Sequence, residues 1–96
     1  MTSVTVHYWA AAREAAGCVR EVLTGVTLAD VIAQAGEKHG PDLTRLLGIC
    51  SFIVGDRPVK REHAADVALQ EGLTVEVLPP FAGGSRTSVG SVAASA

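Results

Sequence analysis

The sequence predicts a single α+β domain in which a mixed sheet of four to five strands is crossed by one main helix. Two patterns carry this expectation. Apolar and polar residues alternate near both ends of the chain, at Val4, Val6 and Tyr8 and again at Leu73, Val75 and Val77, which is the period of half-buried strands. Between them, Leu28, Val31, Ile32 and Ala35 recur at i, i+3, i+4 and i+7, the apolar stripe of a helix lying on a core. With 96 residues the chain has about the length at which one core suffices. Its 48% hydrophobic content holds only one Trp, one Tyr and two Phe, so the predicted core is aliphatic.

In chain order, the first strand covers residues 4–8, with Thr5, His7 and Trp9 on its other side. Residues 10–16 are rich in helix formers and end at Gly17, a natural C-cap, which predicts a short helix. A second strand over 19–23 returns beside the first, with Val19 and Leu23 as its apolar positions and Arg20 and Glu21 wetting the opposite side. Thr27 then offers an N-cap, and Asp30 three residues on completes a short capping box. The main helix runs over 28–39 with Asp30, Gln34, Glu37 and Lys38 on its polar face, and Gly40-Pro41 stops it. Burying Val31 and Ile32 contributes about 1.5–3 kcal/mol each, enough to dock this helix on a sheet.

Leu43, Leu46 and Leu47 repeat the helical spacing in a short piece ended by Gly48. The near-continuous apolar run 49–54 fits an interior strand. Gly55-Asp56-Arg57-Pro58 is turn chemistry, Val59 begins a short edge strand, and Glu71-Gly72 turns the chain into the last strand. The resulting arrangement is a hairpin, a crossing helix and a returning strand that can pair in the centre of the sheet.

Composition excludes several function classes. A net charge of −2 argues against nucleic acid, whose binding rests on neutralising phosphates, and Lys60-Arg61 reads as solvated surface. No apolar run approaches the ~18 residues of a membrane span, and no basic segment leads into an apolar one at the start. The expectation is a cytoplasmic protein. Cys18 and Cys50 lie far apart without a Cys-x-x-Cys pair and read as inert thiols. His7, His39 and His63 show no metal-ligand spacing and read as surface or strand residues, so no metal site is expected. No phosphate loop, nucleophile elbow or paired-carboxylate site is present.

The remaining signal is Pro79-Pro80-Phe81-Ala82-Gly83-Gly84, following the last strand. The prolines cannot continue a sheet ladder and hold the exit extended. Glycines without a Cβ let backbone enter a narrow tunnel. At ~3.3 Å per residue the four residues after Pro80 reach some 13 Å, a geometry suited to delivering a C-terminal carboxylate into a partner. Near the start, Val4-Thr5-Val6-His7-Tyr8-Trp9-Ala10 leads into an Ala-x-x-Arg-Glu-x-x-Gly turn of helix ending at Gly17.

Together the two motifs resemble those of the MoaD/ThiS sulfur carriers, closest to the small subunit of molybdopterin synthase, over about residues 3–84. The resemblance implies a ubiquitin-like β-grasp domain over 1–84. It further implies that Gly84 is adenylated by a ubiquitin-activating-like adenylyltransferase using ATP and converted to a thiocarboxylate. Phe81, Ala82, Gly83 and Gly84 would then enter the molybdopterin synthase large subunit or another sulfur-acceptor enzyme. The resemblance also implies that the carrier itself holds no cofactor and no catalytic residue, the catalytic side chains belonging to its partners.

Two turns depart from the family pattern: Gly55-Asp56 stands where an asparagine is common, and Glu71-Gly72-Leu73 replaces an Asp-Gly-Asp. A larger departure is the extension 85–96, of Ser, Ala, Val, Gly, Thr and one Arg. It is expected to be a disordered tail that a protease removes between Gly84 and Ser85, because an internal Gly84 has no carboxylate to activate. Carriers for thiazole, cysteine or a sulfur-containing secondary metabolite, a ubiquitin-like protein modifier, and an interaction domain with an ordinary Gly-Gly linker remain alternatives.

Overall fold

A computed structural model of the chain describes residues 2–80. The expectations placed on Phe81, Ala82, Gly83, Gly84, Ser85 and the extension lie outside the described residues. The described chain runs β1 (Thr2–Tyr8), α1 (Ala10–Ala16), β2 (Arg20–Gly25), α2 (Leu28–His39), α3 (Pro41–Leu47), β3 (Ser51–Val54), β4 (Arg57–Lys60), a 3-10 turn (Arg61–Asp66) and β5 (Thr74–Leu78). Five strands form one sheet in the order β2-β1-β5-β3-β4. β1 and β5 pair in parallel, and every other neighbour is antiparallel. The last strand therefore takes the centre of the sheet, as the sequence pattern anticipates.

One face of the sheet supplies the core. Val4, Val6 and Tyr8 of β1, Leu23 of β2, Phe52 and Val54 of β3, and Val75 and Val77 of β5 are buried against Leu28, Val31, Ile32 and Ala35 of α2. Leu43 and Leu47 of α3 and Ala12 and Ala16 of α1 close the same core. Gly17, at φ 75°, ends α1 in the left-handed conformation that glycine adopts without a Cβ penalty. At the end of β2, a Cβ on Gly25 would sit 2.8 Å from the Cβ of Asp30, so a side chain there would push the first turn of α2 off the sheet.

The capping box of α2 forms. The Thr27 hydroxyl accepts from the Asp30 amide at 3.3 Å, and the Asp30 carboxylate accepts from the Thr27 and Val26 amides at 3.1 and 3.0 Å. Those backbone donors hold the Asp30 carboxyl below its ordinary value. A depressed carboxyl contributes stability above its unfolded pKa and loses it as pH falls through its folded pKa. Asp30→Ala is thus expected to lower the melting temperature near neutral pH and to have a shrinking effect as pH drops below the carboxylate range. Thermal melts of both proteins from neutral to strongly acid pH check this. An undiminished difference at acid pH would show that the charge is not what caps the helix.

Four sequence expectations need correction. The interior strand begins at Ser51, not at residue 49: the turn after α3 leaves Ile49 64% exposed and turns Cys50 into the core. Val19 lies before β2 and is exposed, whereas Glu21 shares the inward side with Leu23 instead of facing solvent with Arg20. Arg57-Pro58 belongs to β4, so the turn contracts to Gly55-Asp56, and Pro58 is tolerated because β4 is an edge strand. The sequence reading assigned no element to Arg61–Asp66, whose 3-10 turn buries Ala64 beneath α2.

Candidate functional site

The tail leaves the sheet from its middle. Tyr8 at the end of β1 pairs with Val77, one residue before β5 ends at Leu78, so the chain enters Pro79-Pro80 beside the junction of β1 and α1. Trp9 occupies that junction as the N-cap of α1, 40% exposed. Its amide donates to the Val77 carbonyl at 3.2 Å and its indole Nε1 donates to Glu76 Oε1 at 3.0 Å. The His7 ring lies 4.5 Å from the indole, centroid to centroid. Trp9, Ala10, Leu78 and Pro79 line an apolar notch at the root of the tail. Ala10 takes a positive φ of 50°, uncommon for a residue with a Cβ, and so turns the chain sharply from strand into helix.

Among the described residues, no helix covers the outer face of the sheet. The register places Arg20, His7, Glu76, Ile53 and Pro58 in one row across all five strands, and Val22, Thr5 and Thr74 in the next. Val22 is 63% exposed there. A mixed face of this kind, with apolar residues among single charges, is suited to a protein partner. Sequence reasoning placed Phe81 in the tail that enters a partner and gave Trp9 no role in binding. The signal for Trp9 was its outward parity on a strand that pairs with the tail-bearing strand.

The inner face carries a polar cluster that sequence spacing does not show. Glu21 of β2 accepts from the Tyr8 hydroxyl at 2.6 Å, lies 2.5 Å from His39 Nε2 and pairs with Lys38 Nζ at 2.7 Å. Burial raises the Glu21 carboxyl, but the bonds from Lys38, Tyr8 and His39 outweigh it and hold the group below its ordinary value. Burial and Glu21 push the Tyr8 phenol well up. His39 is therefore a partly buried hydrogen-bonding group at the end of α2, whereas His7 sits on the outer face of β1 and His63 is exposed, as expected.

Cys18, in the loop before β2, borders the same cluster, and burial followed by the Glu21 charge raises its thiol. Burial alone pushes Cys50 up to about 11. Neither thiol is an activated nucleophile, which requires a lowered pKa.

The model of the ThiS family matches residues 6–84. The chain belongs to the ThiS family. The match ends on the second glycine of the tail motif. No curated protein matches the chain. Among solved structures, molybdopterin converting factor subunit 1 from Pyrococcus furiosus is 25% identical with a TM-score of 0.67, covering 84% of this chain and 100% of that one. The small archaeal modifier protein 1 of Methanosarcina acetivorans is 24% identical with a TM-score of 0.73, covering 88% of this chain and 98% of that one. Subunits 1 and 2 of the molybdopterin-converting factor of Helicobacter pylori were solved as a complex. The matching chain is 24% identical with a TM-score of 0.64, covering 86% of this chain and 100% of that one. The fold is the ubiquitin-like β-grasp. Among the described residues no helix is long and apolar enough to cross a membrane.

Proposed function

We propose that this protein is a sulfur carrier whose working group is the C-terminal carboxylate of Gly84, set free by removal of residues 85–96. The observation that carries the reading is the family match running through the strand, the proline pair and both glycines to Gly84. The carboxylate is a poor electrophile because its charge is delocalised. A ubiquitin-activating-like adenylyltransferase would join it to AMP from ATP, with pyrophosphate leaving. A sulfur donor then attacks the acyl carbon and AMP departs, leaving a thiocarboxylate. The carrier contributes the reacting group and its delivery, and the catalytic side chains belong to its partners.

Molybdopterin synthesis is the favoured destination, with Phe81, Ala82, Gly83 and Gly84 lying in the active site of a large subunit. The resemblance of the two end motifs and the similarity to the Pyrococcus protein support it. The test is to incubate the chain ending at Gly84 with the activating enzyme, ATP and a sulfur donor, then with the molybdopterin synthase large subunit and its precursor. Formation of dithiolene product supports the pathway. Thiocarboxylate without transfer to that acceptor would direct the carrier to thiazole, cysteine or another sulfur product.

The second reading, a ubiquitin-like modifier, uses the same activated Gly84 against a lysine amine. The chain shares its fold with the small archaeal modifier protein 1 of Methanosarcina acetivorans. Conjugates of the Gly84 carboxyl to lysine in the native cell would establish this second reading.

In the sequence Phe81 follows Pro79-Pro80 and immediately precedes Ala82-Gly83-Gly84. Phe81→Ala is expected to weaken binding to the activating enzyme by roughly 2 kcal/mol, because aromatic anchors carry much of the energy of small interfaces. The melting temperature should stay near that of the parent. Normal binding with a large loss of stability would instead mean that Phe81 packs back onto the sheet.

A further inference from the structure

We propose that Cys18, Glu21 and His39 form a binding site for a divalent metal ion of the zinc class. The ligand atoms, one from each residue, lie within 4.8 Å of one another. They come from three parts of the chain, namely the loop after α1, strand β2 and the last residue of α2. With metal–ligand bonds of about 2.0–2.3 Å, neighbouring ligand atoms around a tetrahedral ion stand roughly 3.3–3.7 Å apart. His39 Nε2 and Glu21 Oε2, now 2.5 Å apart, would open by under an ångström, and the Cys18 sulfur already lies within 4.8 Å of the other two ligand atoms.

The donor set selects the metal. A thiolate, an imidazole and a carboxylate together suit zinc, cobalt or nickel, while magnesium and calcium prefer oxygen alone. Thiolate and carboxylate carry two negative charges, which match those of the ion. Three protein ligands leave a tetrahedral ion one position for water or an incoming donor.

The surroundings already hold the carboxylate in place. Lys38 pairs with Oε1 and Tyr8 donates to Oε2. An ion bound at Oε2 leaves the Lys38 pair intact as an outer contact, the arrangement that fixes the orientation of ligating carboxylates. Lys38 does not have to leave. Tyr8 closes β1 opposite Val77, so the site lies at the end of the sheet from which the tail departs. The proposal does not depend on the carrier reading, because all three ligands belong to the folded domain.

Cobalt(II) and zinc(II) titrations of the reduced full-length chain test the site. Cobalt is expected to bind one equivalent and to show a near-ultraviolet thiolate charge-transfer band with tetrahedral visible bands. Zinc should displace it and raise the melting temperature. Cys18→Ser should abolish the charge-transfer band. Cys18→Ser and His39→Gln should each weaken zinc binding more than about a hundredfold, since even outer partners of ligands are worth ten- to a hundredfold. Cys50→Ser should leave the charge-transfer band and the zinc affinity unchanged, whatever it costs in stability.

Melts without metal establish that each variant is folded, and having two ligand variants keeps the test decisive if one of them is not. Absence of the thiolate band in the parent, its survival in Cys18→Ser, or its loss in Cys50→Ser would each overturn the proposal.

Discussion

Replacing Val31 with aspartate is expected to leave the domain largely unfolded at temperatures where the parent is folded. Val31 is 2% exposed, in the first turns of α2, and its Cγ2 would stand 3.2 Å from a Cβ placed on Gly25. The side chain thus meets the sheet at the end of β2, inside a core whose buried members include no polar or charged residue among those described. A carboxylate there has no partner. It must either stay ionised without solvation, take up a proton at the expense of a raised pKa, or drag α2 away from the sheet. Each route costs several kcal/mol, against a total stability for a domain of this size of about 5–10 kcal/mol. Thermal melts followed by circular dichroism measure the loss. Val31→Ala, which only vacates volume, should be markedly milder. If the aspartate variant melted like the parent, Val31 would not lie on the packed face of α2.

That prediction was available before the structure, and the reason is periodicity. Val31 and Ile32 belong to a stripe sustained over two turns, started by Thr27 with Asp30 and stopped by Gly40-Pro41, so pattern, cap and breaker agree. β1 and β5 were equally clear, because each alternates over five residues or more with one face buried. The errors fall where local signals conflict. Ile49 and Cys50 extend an apolar run that looks like strand, but α3 needs a turn to reach the sheet, and that turn exposes the first and buries the second. The 3-10 turn at Arg61–Asp66 has neither helical nor strand period, and only tertiary contact with α2 holds it.

The Glu21 cluster was hidden for a different reason. Tyr8, Glu21 and His39 are separated by thirteen and eighteen residues, and only the pairing of β1 with β2 and the length of α2 bring them together. Glu21 occupies an inward position that alternation would assign to an apolar residue. A charge on the apolar parity of a strand was the available signal, and it was read as the opposite face. The tail motif was plain in the sequence for the opposite reason. Proline and glycine act through the backbone, so their meaning survives without knowledge of what surrounds them.

The chain truncated after Gly84 is expected to be activated, and the full-length chain is not. Adenylation requires a carboxylate oxygen to attack the α-phosphate of ATP. In the full-length chain the carbonyl of Gly84 is held in an amide with Ser85, whose lone pairs and geometry offer no such nucleophile at neutral pH. The difference is therefore all or none, rather than a matter of affinity. β5 ends at Leu78 and the core is built from residues that precede it, so truncation at Gly84 removes nothing from the buried core of the described residues. Melting temperatures of the two forms should agree.

Both forms are incubated with the activating enzyme, ATP and a sulfur donor, and intact mass reports the exchange of oxygen for sulfur at the C-terminus. Thiocarboxylate on the truncated form alone supports a precursor whose extension is removed. The cell should then contain a protease that cuts between Gly84 and Ser85, where glycines present extended backbone without side-chain obstruction. Failure of both forms, with the activating enzyme shown to be active on its own carrier, would remove the carrier reading. It would leave a β-grasp binding module whose outer sheet face and Trp9 notch do the work.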